Sequence, residues 1–155
     1  LGTLEQLQNA DYRVYALDMP GFGNSVQSSD PPEAMLQELI TREDMDKPVV
    51  VGPSMGGKIA LDLYFGSPYM IGGLILVGTV GVDKYKNRFP EIDVPCLLVW
   101  GDKDTISPLD NAHFLEQEID DAGLVILQQS RHPCYLDQPE MWHREVLDFL
   151  DRKFD

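Results

Sequence analysis

One serine in this sequence stands at a sharp turn between a predicted strand and a predicted helix. Ser54 lies in the segment Gly52-Pro53-Ser54-Met55-Gly56, which follows three valines and precedes an apolar helical stripe. A serine flanked by glycines at this spacing is typical of a nucleophile elbow, because glycine leaves room beside a strained serine backbone. The start of the following helix supplies free N–H groups that would stabilise a developing oxyanion. The pattern therefore predicts Ser54 as the nucleophile of an acyl-transfer reaction.

A second interpretation uses the same residues. Gly52, Gly57 and Lys58 have the G-x-x-x-x-G-K spacing of a phosphate-binding loop. That motif needs Ser or Thr after the lysine to hold Mg²⁺, and Ile59 stands there instead. Because the phosphate-loop interpretation loses its metal ligand, the sequence favours the nucleophile elbow.

A serine hydroxyl is a weak nucleophile and needs a base to accept its proton. His132 is the best candidate, because it follows the last predicted strand and imidazole titrates near neutral pH. Asp102 and Asp104 both follow an earlier strand, and either carboxylate could orient the imidazole. The carboxyl ends of parallel strands meet at one edge of a sheet, so these residues are expected to lie close together. The order Ser, Asp, His is the one found in α/β-hydrolases.

The elements that must position these side chains are strands alternating with helical patterns. The predicted strands span residues 12–17, 49–51, 72–80, 94–100 and 124–127. Helical patterns cover residues 1–10 and 109–119 and begin near Pro31, Ile59 and Pro139. Residues 81–93 are predicted to be polar and irregular. The alternation predicts an α/β fold with a mostly parallel sheet and helices on both faces.

The bulk composition excludes several classes of function. The 155 residues are enough for one domain, and 43% hydrophobic and 25% charged residues fit an ordinary globular protein. The net charge of −14 argues against nucleic acid or an anionic membrane as partner. No apolar run approaches the roughly 20 residues that span a bilayer. The two cysteines, Cys96 and Cys134, lack the spacing of a zinc site and do not make a disulfide framework. We therefore predict no metal, and no motif indicates a cofactor. We predict a cytoplasmic location, with the nucleus as an alternative.

Four motifs resemble the α/β-hydrolase superfamily across nearly the whole chain. They are D-M-P-G-F-G-N-S at 18–25, G-P-S-M-G-G at 52–57, W-G-D-K-D-T-I-S-P at 100–108 and S-R-H-P-C-Y-L-D-Q-P-E at 130–140. More narrowly, H-P-C-Y-L-D-Q-P-E-M-W-H at 132–143 resembles the α/β-hydrolase domain-containing protein 14 group. The resemblance implies a catalytic triad of Ser54, Asp104 and His132, with the backbone N–H of Met55 as an oxyanion donor. It favours Asp104 over Asp102, for which a turn role bonding its own backbone is expected.

The resemblance also implies elements that this sequence does not contain. The family's first three strands, and the His-Gly loop after the third, should precede Leu1, and no His-Gly dipeptide occurs in the sequence. Residues 1–155 are therefore expected to be a single, N-terminally truncated part of an α/β-hydrolase domain. The connection between Val80 and Val94 is too short for the helical lid of capped hydrolases, so a capless, open site is expected.

Two functions from different classes follow from these observations. The first is a serine hydrolase that cleaves small carboxylic esters or acyl groups through an acyl-enzyme. The subgroup resemblance adds protein deacetylation, with acetyl transfer to coenzyme A as a variant. The alternative is a catalytically weak protein on a hydrolase fold that acts as a protein-interaction module, since a fold alone does not define a function. The expected partners are a small acyl or ester substrate and, in the alternative, another protein.

Overall fold

The computed structural model describes residues 2–154, so only Leu1 of the predicted first helix lies outside the described residues. Four parallel strands form one sheet and lie side by side in chain order. These strands are β1 (Val49–Pro53), β2 (Gly73–Val77), β3 (Cys96–Gly101) and β4 (Ala122–Leu127). The parallel order brings the carboxyl ends of all four strands to the same edge, where the candidate residues follow β1, β3 and β4.

Helices connect the strands and cover the sheet. The α-helices are α1 (Thr3–Asn9), α2 (Pro32–Arg42), α3 (Met55–Gly66), α4 (Leu109–Glu118), α5 (Cys134–Asp137) and α6 (Pro139–Phe154). Short 3₁₀ helices occupy Pro68–Met70, Val82–Tyr85 and Phe89–Glu91. Within residues 2–154 the helices fall short of the length and apolar character needed to cross a bilayer.

Helices pack on both faces of the sheet, as predicted. On β2, Leu74 and Leu76 point into one core, which they share with side chains of α3 such as Leu61. The intervening Ile75 points into a second core, which it shares with Phe149 of α6. Because successive strand residues point to opposite faces and both faces are covered, the strand sequence is apolar without alternation. The fold is therefore the predicted α/β architecture.

The predicted strand at residues 12–17 is wrong. This segment has no regular secondary structure, and β1 is paired only with β2 among the described strands. Side chains hold the segment instead: the Tyr12 hydroxyl donates to Asp151 and the Tyr15 hydroxyl donates to Glu43. The residue types favour an extended backbone, but a strand also requires a neighbouring main chain with which to pair.

The prediction that residues 81–93 are irregular was also wrong. Two 3₁₀ helices form there, and Val82, Tyr85, Phe89 and Ile92 are buried in the core beside α3 and α4. The rings of Tyr85 and Phe89 both pack against Phe65 of α3. The spacing of three to four residues between these four apolar positions was a sequence signal for a helical, inward-facing connection. The segment thus packs onto the body of the protein rather than forming a separate lid.

Candidate active site

Ser54 occupies a strained backbone conformation between β1 and α3. Its φ of 52° and ψ of −115° fall outside the regions that residues with a side chain normally adopt. The turn is held by hydrogen bonds on both sides of Ser54. Its N–H donates to the Val77 carbonyl at 2.7 Å, and its own carbonyl accepts from the Gly57 N–H at 3.1 Å. The first helical residue is Met55, so its N–H lies outside the ladder of helical hydrogen bonds beside the serine.

Close packing explains two of the three glycines around Ser54. A Cβ on Gly52 would lie 2.6 Å from the Gly57 backbone, and a Cβ on Gly57 would lie 2.1 Å from the Thr79 Oγ1. A Cβ on Gly56 would meet only Pro53 Cδ, at 3.3 Å. The sequence motif singled out Gly52 and Gly56, whereas the structure requires Gly52 and Gly57. The serine turn is therefore packed directly against the residues that follow β2.

The structure brings His132 between Ser54 and Asp104. The His132 Nε2 lies 2.8 Å from Ser54 Oγ, and the His132 Nδ1 lies 2.8 Å from Asp104 Oδ2. Because a carboxylate only accepts hydrogen bonds, Nδ1 carries the proton and donates it to Asp104. Nε2 of the neutral ring is then free to accept the serine hydroxyl. Residues separated by 28 and 78 positions in the chain thus form one continuous hydrogen-bonded line.

Asp104 is held on both of its oxygens. Oδ2 faces the histidine, while Oδ1 accepts the backbone N–H groups of Ile106 and Ser107, each at 2.8 Å. Its side chain is fully buried. Asp102 has a different role from the one predicted, because its Oδ1 accepts the N–H of Ser130 at 3.0 Å rather than a group of its own turn. Asp102 therefore fastens the loop that carries the histidine, and Asp104 contacts the histidine ring itself.

Gly78 is a residue of the site that the sequence reasoning missed. It follows β2 with a φ of +52°, and a Cβ there would lie 3.1 Å from Asp104 Oδ2 and 3.3 Å from His132 Nδ1. Any side chain at this position would press on the hydrogen bond between the aspartate and the histidine. A glycine directly after a buried strand, at the edge where the candidate residues collect, was the available signal.

The loop that carries His132 is closed by an ion pair. Arg131 donates its backbone N–H and its guanidinium to the carboxylate of Asp137, with N–O distances of 2.8 to 3.2 Å. These hydrogen bonds from Arg131 lower the pKa of Asp137 to about 2. Between the two residues, α5 begins at Cys134, whose side chain is buried. The next helix was predicted to begin only near Pro139, so this helical turn, which fixes the segment immediately after the histidine, was not predicted.

Exposed apolar side chains flank each member of the Ser54–His132–Asp104 line in sequence. Met55 is 47% exposed, Ile106 is 64% exposed and Leu136 is 57% exposed. They stand one, two and four residues after Ser54, Asp104 and His132 respectively. The His132 side chain keeps 20% of its surface exposed. Ser54 and His132 therefore both retain exposed surface, whereas Asp104 is buried beneath them in the hydrogen-bonded line.

The alternatives to this site have other positions in the structure. Lys58, of the rejected phosphate-loop motif, places its Nζ 2.8 Å from Asp62 Oδ2, and Ile59 is buried. The His143 ring contacts the Thr3 hydroxyl at 3.0 Å, and His113 lies on α4 with about half of its side chain exposed. The part of the chain that the structure describes contains no group of three or more His, Cys, Asp or Glu residues placed to hold a metal.

A four-stranded parallel sheet flanked by helices, with a serine at a strained elbow and an aspartate and a histidine after later strands, defines an α/β-hydrolase. The chain matches the family model of the alpha/beta hydrolase family over residues 2–84 and belongs to that family.

Curated relatives and solved structures agree with this assignment. ABHD14B of Homo sapiens, proposed by its name to be a protein-lysine deacylase, is 32% identical over 158 residues, covering 97% of this chain and 74% of its own length. Protein ABHD14A of Danio rerio is 32% identical over 98% of this chain and 58% of its own length. The crystal structure of a predicted CIB-like hydrolase from Thermoplasma acidophilum superposes with a TM-score of 0.90 at 29% identity, covering 94% of this chain and 75% of that one.

Proposed function

We propose that this protein is a serine hydrolase that cleaves carboxylic ester or acyl groups through an acyl-enzyme. Ser54 is the nucleophile, His132 the general base and Asp104 the residue that orients the histidine. The observation that carries the proposal is the line of two 2.8 Å hydrogen bonds from Ser54 through His132 to Asp104. This arrangement supplies the nucleophile, the base and the orienting group that acyl transfer requires.

In the first half of the reaction, Ser54 Oγ attacks the acyl carbonyl carbon while its proton moves to His132 Nε2. Asp104 Oδ2 stabilises the resulting imidazolium through the Nδ1–H bond. The negative charge that develops on the carbonyl oxygen is stabilised by the N–H of Met55 at the start of α3. His132 then returns the proton to the leaving alcohol or amine, and the carbonyl re-forms as a Ser54 ester.

In the second half, a water or a thiol attacks the Ser54 ester. His132 accepts the proton of the attacking group and then donates it to Ser54 Oγ as the acyl group leaves. Transfer to water gives a carboxylic acid, and transfer to a thiol gives a thioester. Both routes use the same three side chains, so the acceptor is a matter for experiment.

The substrate class we propose is an acyl group carried on a protein lysine. The proposal follows the name of the human relative, which describes a protein-lysine deacylase, and the chain covers 74% of that relative's length. The accessible His132 and the neighbouring exposed Met55 and Ile106 are compatible with a substrate that is attached to a macromolecule.

An active-site probe tests the hydrolase proposal directly. A fluorophosphonate, which reacts with activated serines, should label the wild-type chain and should fail to label Ser54→Ala and His132→Ala. Ser67→Ala is the matched control, because Ser67 is a buried serine that hydrogen-bonds Gln37. Equal labelling of the wild type and Ser54→Ala, or no labelling of either, would contradict the proposal.

The substrate class needs a second assay. Acetyl-lysine peptides and p-nitrophenyl acetate should both lose acetate in a Ser54-dependent manner, with coenzyme A tested as an alternative acceptor by detecting acetyl-coenzyme A. Turnover of the ester alone would contradict lysine deacylation while leaving the hydrolase proposal intact. The interaction-module alternative predicts instead that a Ser54→Ala, His132→Ala double variant retains all partner binding while the wild type shows no turnover.

A further inference from the structure

Every polar group of Ser107 forms a hydrogen bond, although Ser107 is not a member of the proposed triad. Its N–H donates to Asp104 Oδ1 at 2.8 Å, and its carbonyl accepts from Trp100 Nε1 at 3.0 Å. Its hydroxyl donates to the Thr79 carbonyl at 2.7 Å and accepts from Asn111 Nδ2 at 3.1 Å. Ser107 is 1% exposed. A buried serine bonded in four directions has a fixed position and a fixed side-chain conformation.

The hydroxyl of Ser107 connects two turns that follow different strands. Ser107 lies in the turn after β3, together with Asp104, whereas Thr79 lies in the turn after β2. The residue after Thr79, Val80, donates its N–H to the Ser54 carbonyl at 3.4 Å. Hydrogen bonds therefore run from Asp104 through Ser107 and the 79–80 backbone to Ser54. This path connects Asp104 and Ser54 without passing through His132.

The contribution of Thr79 to this path comes from its backbone. Among residues 2–154, Thr79 Oγ1 is the buried side-chain oxygen that has no hydrogen-bond partner, whereas the Thr79 carbonyl accepts from Ser107. The hydrogen bond between the two turns therefore depends on the Ser107 hydroxyl and not on the Thr79 side chain. Removing the Ser107 hydroxyl would also leave the buried Thr79 carbonyl without this donor.

We propose that Ser107 is a positioning residue for the acyl-transfer reaction, fixing the distance between Asp104 and the serine turn so that His132 spans both. This inference rests on the proposed function. The physical reason is that a histidine that must contact Ser54 and Asp104 simultaneously tolerates little change in their separation. A displacement of about 1 Å at a catalytic group lowers rates by as much as about 100-fold. Ser107 itself is buried behind Asp104 and does not touch the reacting atoms.

Steady-state kinetics of three variants test the proposal. Ser107→Ala should lower kcat for p-nitrophenyl acetate by about 10- to 100-fold with KM unchanged, because geometry at the reacting centre is lost and substrate contact is not. Ser107→Thr, which retains the hydroxyl, should recover most of the kcat. Ser67→Ala, which also removes a buried hydroxyl, should leave kcat unchanged. A Ser107→Ala kcat equal to that of Ser67→Ala, or a change confined to KM, would overturn the proposal.

A spectroscopic measurement separates this inference from the proposed function. The proton shared by His132 Nδ1 and Asp104 should give a downfield NMR resonance, which should shift or disappear in Ser107→Ala and persist in Ser67→Ala even if no substrate is turned over. An unchanged resonance in Ser107→Ala overturns the positioning role, whereas absent wild-type turnover overturns only the proposed function. If Ser107→Ala does not fold, Ser107→Cys decides, since a thiol of similar size is a much weaker donor to the Thr79 carbonyl. A wild-type kcat and resonance in Ser107→Cys would then count against the proposal.

Discussion

Alanine at position 57 perturbs the packing that holds the serine turn against the segment after β2. A Cβ on Gly57 would lie 2.1 Å from Thr79 Oγ1, 2.8 Å from Thr79 Cγ2 and 2.9 Å from the Gly52 carbonyl oxygen. Thr79 is fully buried, so its side chain cannot move out into solvent to relieve the contact. The adjacent Gly56 is a matched control, because a Cβ there would meet only Pro53 Cδ, at 3.3 Å.

The expected destabilisation follows from these contacts. Overpacking a buried site costs about 1 to 3 kcal/mol of unfolding free energy. Because the new Cβ would contact both a β-branched side chain and a rigid carbonyl, we expect Gly57→Ala to lie at the upper end of this range. Replacing glycine by alanine in a helix gains up to about 1 kcal/mol, but both variants receive this gain because Gly56 and Gly57 lie in the same helical turn. The difference in unfolding free energy between Gly57→Ala and Gly56→Ala is therefore about 3 kcal/mol. For a chain of this size that corresponds to about 6 to 12 °C in Tm.

Thermal unfolding followed by circular dichroism measures this difference. Gly56→Ala should melt close to the wild type, and Gly57→Ala should melt well below both. Adding Thr79→Ala to Gly57→Ala removes both side-chain contacts and should restore part of the loss, with a favourable coupling in the double-mutant cycle. Melting of the two single variants within about 2 °C of each other would refute the packing argument.

Three further predictions concern Asp104 as the proposed acid of the triad, the cysteines and a buried tyrosine. Asp104→Asn should lower kcat for ester hydrolysis by about 10⁴-fold because the amide favours the wrong imidazole tautomer, whereas Asp102→Asn should lower it less than about tenfold; equal losses would contradict the assignment. Burial raises the pKa of Cys96 to about 12 and that of Cys134 to about 11, so both thiols should resist a thiol reagent at neutral pH until denaturant is added, and rapid labelling of the native chain would be inconsistent with this. Burial also raises the pKa of Tyr64 to about 12, above its value of about 10 in an unfolded chain. Its contribution to stability should therefore be fully present below about pH 10 and should decline as the pH rises towards 12, which urea midpoints measured across this range would check.

Local sequence patterns were sufficient where the pattern and the final environment agree. The apolar runs of β2 and β3 indicated strands covered on both faces, and prolines marked the starts of α2 and α6. The turn between β1 and α3 was recognisable because glycine and serine at that spacing reflect a local steric requirement. In each case the residue types along a short stretch of chain are enough to show the pattern, even where distant residues complete the packing.

The predictions failed where the partner of a segment was needed. Residues 12–17 have the composition of a strand, yet they are held by side-chain hydrogen bonds rather than by a strand ladder. Residues 81–93 are rich in charged residues and were predicted to be irregular, yet they form two 3₁₀ helices whose apolar residues turn inward against α3 and α4. The composition of a segment indicates which backbone conformation it favours. Whether the segment pairs as a strand or is buried depends on which other segments lie next to it in the fold.

The sequence alone predicted the α/β class, a glycine-flanked serine turn at Ser54, and a serine, a pair of aspartates and a histidine in that order after successive strands. These follow from residue types and from their positions after successive strands. The resemblance favoured Asp104, but its contact with the histidine, the lack of room for a side chain at Gly57 and Gly78, and the Ser107 link between the two turns were visible only in the folded protein. The physical reason is that these features are distances of a few ångströms between residues far apart in the chain. The register of the parallel strands sets such distances, and no local pattern encodes them.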